Sequence, residues 1–201
     1  TFRTESGYAD GRHPDAVTFG GDLTGDLSRR DFTINAMALG PDGAVIDPFG
    51  GQKDLQARLI RCVGEPERRF REDALRMLRA VRFSAQLGFA VENATAEALR
   101  DSAGLTACLS AERVRAELEK ILLSRWPERG EGLFAWGLLA AFVGADAQPD
   151  LTTLHRVPAR PLERWAALCA LLLDEGSIRS AEEFLKALRL DGRTVRAWAA
   201  G

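Results

Sequence analysis

The sequence predicts an α+β fold: a small mixed α/β piece followed by an all-helical array. Three observations lead there. The first fifty residues are rich in glycine and broken by turn signals around short β-type runs. From about Asp54 onward, apolar residues recur at helical spacing almost throughout. And 201 residues, 46% of them hydrophobic, can bury a core shared between one or two domains.

The elements follow in order. Residues 16–19 and 44–46 read as short strands, the second preceded by the turn Pro41-Asp42-Gly43. Between them, residues 32–39 read as a helix capped by a polar residue. Asp47-Pro48-Phe49-Gly50-Gly51 closes the mixed region, either as a hinge or as an ordinary tight turn. A long helix spans 67–87 and stops at Gly88. Ser110 can cap the next, in which Val114, Leu118, Ile121 and Leu122 form an apolar stripe up to Trp126-Pro127. Further helices cover 131–143 and 161–174, the latter with Pro161 in its first turn. Ser180 with Glu183 forms a capping-box pattern for a last helix, which Gly192 stops.

The formal net charge of −2 gives no global argument for nucleic-acid binding. Its distribution says more. Residues 61–82 carry seven arginines against Glu65, Glu67, Glu72 and Asp73, while residues 1–60 hold six basic and nine acidic side chains. A basic patch beside an acidic one suits phosphate binding next to metal-coordinating carboxylates; the alternative is an ordinary solvated helix face. The three cysteines, Cys62, Cys108 and Cys169, show no paired spacing and sit in apolar surroundings, so buried reduced thiols are expected. With only His13 and His155, a histidine-rich metal centre is not expected within this chain. No apolar run approaches the ~18 residues of a membrane span, and no signal-peptide pattern opens the chain. A soluble, cytoplasmic protein with no membrane partner is expected. The start at Thr1, without a methionine, reads as that of a fragment.

Two segments carry chemistry. Around a helix advancing about 100° per residue, Ala74, Leu75, Leu78, Val81 and Ala85 share an apolar sector, while Asp73, Arg76 and Arg79 step around the other side. Arg82 falls at the sector's edge, where it needs a partner or a ligand. Asp73 and Arg76, three residues apart, can approach one planar ligand together. A carboxylate only accepts hydrogen bonds and a guanidinium only donates them. Cytosine and adenine each present an amino donor beside a ring-nitrogen acceptor; guanine and uracil present a carbonyl and a ring N–H. The pair can therefore tell the first two bases from the others, or else be a plain intrahelical ion pair. Arg29-Arg30-Asp31, ahead of the expected helix at 32–39, can meet a triphosphate, with Asp31 or Asn35 accepting from ribose hydroxyls. The alternative is an N-cap flanked by surface arginines. Residues 10–15, with Asp10, Arg12 and Asp15, read as a mobile loop, and His13 as a loop residue.

In this order and spacing the segments resemble the bacterial-type branch of the CCA-adding tRNA nucleotidyltransferases and their poly(A) polymerase relatives. The resemblance runs from Thr1 to about Leu123 and is most specific over 26–38 and 69–83. It implies a partial nucleotidyltransferase head over 1–60, a helical neck with the nucleotide-template helix over 61–124, and a helical body over 125–201 that holds the tRNA acceptor end. It implies that Arg30 and Asp31 handle ribose and triphosphate, that Asp73 and Arg76 template incoming CTP or ATP, and that Arg79 and Arg82 contact the nucleotide. Asp47, Gly50 and Gly51 correspond to the family's hinge, and Asp10, Arg12 and Asp15 to a flexible loop that helps switch from C to A. The implied function is template-independent addition of CCA to tRNA 3′ ends. The rivals are poly(A) polymerase, an A-adding tRNA nucleotidyltransferase and a non-catalytic RNA-binding helical module. The family's Asp-x-Asp metal ligands are absent, so Mg²⁺ is expected to be held upstream of Thr1, with no metal ligand and no catalytic residue in this chain. The isolated chain is then expected to be inactive; CMP or AMP incorporation by it would move the metal site inside.

Overall fold

The computed structural model describes the backbone of residues 2–6, 16–20, 22–190 and 192, and side chains from residue 22 onward. The loop with Asp10, Arg12 and Asp15 lies outside the described residues. Among the described residues the architecture is α+β, with three two-stranded sheets and a largely helical remainder. β1 (Phe2–Ser6) pairs antiparallel with β2 (Ala16–Gly20), in register from Phe2↔Gly20 to Ser6↔Ala16. A short helix, α1 (Leu23–Ser28), follows.

The helix expected over 32–39 is not there. Thr33–Asn35 makes a single 3-10 turn, and Ala38–Leu39 is already strand β3, paired with β4 (Val45–Ile46) across the expected turn. Long-range pairing overrides local preference. Thr33 N–H donates to the Arg61 carbonyl and Val63 N–H to the Asp31 carbonyl, which bridges Phe32 to Cys62. Because Arg29-Arg30-Asp31 follows α1 rather than preceding a helix, the expected help from a helix N-terminus is lost. The C-terminal end of α1 suits the arginines instead.

α2 (Gly51–Ala57) begins inside the glycine-rich loop. Asp47 accepts from the N–H groups of Gly51 and Gln52 at 2.7 and 2.9 Å. Burial pulls the Asp47 carboxyl up, but these backbone donors outweigh it and hold the group below its ordinary value. β5 (Leu59–Ile60) pairs in parallel with β6 (Ala90–Val91), a sheet inside the stretch expected to be helical.

The long helix expected over 67–87 is two helices: α3 (Pro66–Glu72) and α4 (Leu75–Leu87). Asp73 between them is extended, at φ −153° and ψ 103°. Its carboxylate accepts from the N–H of Leu75 at 3.1 Å, the local competition with helix that Asp favours. Gly88 ends α4 in the left-handed conformation, and a Cβ there would lie 3.1 Å from the Trp126 ring.

α5 (Asn93–Asp101), which the sequence reading missed, is capped by Glu92, whose carboxylate accepts from the Thr95 N–H. α6 (Ala111–Leu122) starts after Ser110 as expected, although that side chain makes no capping bond. The helix expected over 131–143 is only α7 (Glu131–Ala135), ended as the chain turns at Gly137 with φ +70°. α8 (Pro161–Glu175) matches its forecast, and α9 (Ala181–Ala187) carries the Ser180 cap onto Glu183 N–H. α9 ends well before Gly192, where Arg189 turns left-handed at φ 58°.

One continuous apolar core runs from Phe32 to Leu188. α4 sits at its centre, burying Met77, Leu78, Val81 and Ala85 at helical spacing and packing against α6. Leu75 departs from the expected sector and faces a cleft. Among the described residues no helix is long and apolar enough to cross a membrane.

Cys62 and Cys169 are buried, and burial pushes each thiol up to about 12; Cys108, expected to be buried, is exposed on a 3-10 segment. Only thiolate reacts. At pH 8 a thiol reagent should therefore modify one cysteine in the native chain and all three after unfolding; rapid reaction of a second native thiol would contradict this packing.

Candidate functional site

Three parts of the chain meet at one cleft. The segment after α1 contributes Arg29, Arg30, Asp31 and Asn35; the α3–α4 junction contributes Asp73, Leu75, Arg76 and Arg79; the first turn of α6 contributes Arg113. The cleft measures about 560 Å³, within the usual range for small-molecule sites. Five arginines against two aspartates leave it with a formal surplus of three positive charges. Such a lining attracts polyanions.

A buried arginine and a largely buried one fix the walls. Arg69, on α3, donates to the Arg30 carbonyl at 2.8 Å and pairs with Glu72. Arg76 donates to the Arg69 carbonyl at 3.0 Å, to the Glu72 carboxylate at 2.9 Å and to the Arg29 carbonyl at 3.1 Å. These contacts tie the backbone of residues 29–30 to the α3–α4 junction. They occupy three of the five guanidinium donors of Arg76 and leave two for a ligand. Asp26, on α1, pairs with both Arg29 and Arg30. Arg30 is nonetheless half-exposed and reaches the cleft.

Asp31 is buried and receives Arg79 as a fork, Nε at 2.7 Å and Nη2 at 2.5 Å from Oδ2. That leaves Nη1 of Arg79 to face an anion. Asp73 and Arg76 no longer stand on one continuous helix, yet both line the cleft, because the break at Asp73 turns its carboxylate toward it. Arg113, forty residues further on, pairs with Asp73 at 3.3 Å and adds another cation to the lining.

Arg82 lies outside the lining. Its Nε stands 2.6 Å from the buried Glu117 on α6, and its guanidinium stacks 4.0 Å above the Phe83 ring. The partner its position demanded is a side chain. Beneath the cleft, the buried Asp54 accepts from the Thr33 hydroxyl at 2.7 Å and from Arg61, which also reaches Glu92. This network joins the 3-10 turn, α2, β5 and the start of α5. At the glycine pair, Gly50 is left-handed at φ +75°, and Gly51 lies so close to the Thr33 carbonyl that a Cβ would come within 2.2 Å.

The sequence reading missed Arg69, Glu72 and Arg113, whereas Asn35, named there as a candidate acceptor, does line the cleft. The Arg69–Glu72 spacing was visible, but its aim at the Arg30 carbonyl was not. Among the described residues, no three histidines, cysteines or carboxylates converge to hold a metal ion. Both cleft aspartates are engaged by arginines, so these residues do not fit a divalent-cation site.

Residues 1–61 match the poly A polymerase head domain, and residues 88–147 match the probable RNA and SrmB-binding site of polymerase A. The chain is 44% identical to the CCA-adding enzyme of Geobacillus stearothermophilus over 97% of its own length and 49% of the relative's. It is 49% identical to that of Limosilactobacillus reuteri over 86% of its length and 43% of the relative's. The crystal structure of the Bacillus stearothermophilus CCA-adding enzyme in complex with CTP superposes with a TM-score of 0.83 at 40% identity, covering all of this chain and 49% of that one. A tRNA nucleotidyltransferase complexed with a primer tRNA and an incoming ATP analogue gives 0.68 at 25% identity, over 91% of this chain and 59% of that one. The chain thus spans about half the length of the curated relatives it matches. On this likeness, which extends over nearly the whole chain, the chain belongs to the CCA-adding tRNA nucleotidyltransferase and poly(A) polymerase family.

Proposed function

We propose that the complete protein adds C and A nucleotides from CTP and ATP to tRNA 3′ ends without a nucleic-acid template. The observation that carries this is a cationic cleft that Asp73 and Arg76 line together with Arg30 and Arg79. Arg30 and Arg79 grip the triphosphate, with Asp31 holding Arg79 in place. The Asp73 carboxylate accepts from the base amino group, and Arg76 donates to the adjacent ring nitrogen. Arg82 supports α4 against α6 in this arrangement and does not touch the nucleotide. A relative solved with CTP and another with primer tRNA and an ATP analogue lend support.

We further propose a head over 1–60, a neck over 61–124 and a body over 125–201 that holds the tRNA acceptor end. Asp47, Gly50 and Gly51 form the hinge, and the loop carrying Asp10, Arg12 and Asp15 switches C to A. Mg²⁺, held by ligands outside the described residues, serves the complete protein, which we place in the cytoplasm.

The matched poly A polymerase models favour a second reading, the synthesis of A tails. Given CTP, ATP and a tRNA lacking its CCA end, the full-length protein should extend the primer by three nucleotides and stop. A long A tail on any RNA would favour the second reading, a single added A an A-adding enzyme, and RNA binding without nucleotide transfer a helical binding module.

A further inference from the structure

We infer that Leu75 is the surface against which one face of the incoming base lies, so that Asp73 and Arg76 meet the base edge in the plane of the ring. The inference rests on the nucleotide reading of the cleft given above.

Leu75 is out of place for its helix. It opens α4, the central helix of the core, yet it belongs neither to that core nor to the smaller apolar cluster around Leu27. The buried apolar positions of α4 begin at Met77. Leu75 is half-buried and lines the cleft, where every other described lining side chain is charged or, at Asn35, an amide. An apolar group set among ions offers nothing to a triphosphate. What it suits is a flat ring whose faces carry no hydrogen-bonding groups and gain by leaving water.

Its place in the chain puts it beside both groups that read the edge. The Leu75 N–H donates to Asp73 Oδ1 at 3.1 Å, which ties the carboxylate to the start of α4, and Arg76 follows directly. Donors and acceptors on a base edge lie in the ring plane, and hydrogen bonds weaken steeply as the ring tilts out of line. Two such bonds fix an edge but leave the ring free to swing about the line joining them. An apolar contact on one face removes that swing. The contact favours no base over another, because every base has a face of this kind. Leu75 thus contributes affinity and planarity, while Asp73 and Arg76 contribute the choice of base.

The test uses the full-length protein, wild type and Leu75→Ala, with CTP, ATP and inorganic tripolyphosphate as probes. Binding is measured without primer, and transfer to a tRNA primer in parallel. Leu75→Ala should weaken CTP and ATP by roughly 4- to 15-fold, the worth of one or two methylene groups covered by the ring. Tripolyphosphate, which has no ring, should bind as it does to wild type. Selection of C and A over U and G should persist, since the Leu75 N–H that holds Asp73 survives the substitution. Leu75→Met, an apolar side chain of similar volume, should recover most of the affinity. Leu75→Asn, similar in size but polar, should not. Unchanged nucleotide affinity in Leu75→Ala would mean that something other than the base covers the leucine. An equal loss of tripolyphosphate would make it a support of the cleft wall, and a loss of base selection would mean that it acts through Asp73. Each of these three results would overturn the assignment. Absence of any CTP binding by wild type would remove the nucleotide reading itself, and is distinct from all three.

Discussion

Gly51→Ala is expected to destabilise the protein by about 3 kcal/mol, the upper end of what overpacking costs. The added methyl would lie 2.2 Å from the Thr33 carbonyl oxygen and 2.9 Å from the Met37 sulfur. The sulfur ends a flexible side chain and can move. The carbonyl belongs to a buried turn whose own side chain bonds Asp54, and whose N–H bonds the Arg61 carbonyl. Relief must therefore come from shifting α2 or the 3-10 turn. In a chain of this size the loss corresponds to a fall in melting temperature of roughly 6–12 °C. Displacing the turn also displaces Asp31 and Asn35, so nucleotide affinity should fall with stability. Gly50→Ala is the control. That residue is left-handed but has nothing within 4 Å of a Cβ, so the cost should be only about 1–2 kcal/mol. Equal melting temperatures for the two variants would contradict the close approach at Gly51.

The second large effect concerns base choice. In the full-length protein, Asp73→Ala should erase most of the preference for CTP and ATP over UTP and GTP, a loss of roughly 10- to 100-fold in relative kcat/KM. The physical cause is the mismatch, not the attraction. With the carboxylate present, a base carbonyl in the amino position leaves two acceptors face to face. With alanine there, the penalty vanishes for every base alike. Arg76→Ala should erase the same preference and add a structural cost, since Arg76 also ties the carbonyls of Arg69 and Arg29 and the Glu72 carboxylate. Removing those bonds from a largely buried junction should cost about 2 kcal/mol or more. The two variants can thus be separated: both relax selection, and Arg76→Ala lowers the melting temperature further than Asp73→Ala, which loses only the Leu75 N–H bond and the Arg113 pair. Unchanged selection in both would remove the templating role.

Local signals in the chain were legible wherever a single turn of backbone decides the outcome. Gly88, Pro161 and Ser180 mark real helix ends, and Pro41-Asp42-Gly43 marks a real hairpin turn. Most of the cleft could be named from residue chemistry together with the family resemblance, since Arg30, Asp31, Asp73, Arg76 and Arg79 all line it. What stayed hidden depended on distant neighbours. The 3-10 turn replaces a helix because residues 31–33 bond to residues 61–63, thirty positions away. β5 and β6 are only two residues each and pair across a similar gap, which leaves no periodicity to detect. Arg113 is forty residues from Asp73, and nothing around it marks it as anything but a solvated helix residue. The break at Asp73 is the instructive case. The sequence pattern reads as one amphipathic helix, yet the side chain that breaks it is the one proposed to read the base. A continuous helix would have spent that carboxylate on an ordinary neighbour pair.

The most direct measurement is a crystal structure of the full-length protein with CTP bound. The cytosine amino group should lie within hydrogen-bond distance of the Asp73 carboxylate and the ring nitrogen within reach of Arg76. The triphosphate should sit on Arg30 and Arg79. A nucleotide bound outside this cleft, or one whose pairing edge turns away from Asp73 and Arg76, would contradict the assignment.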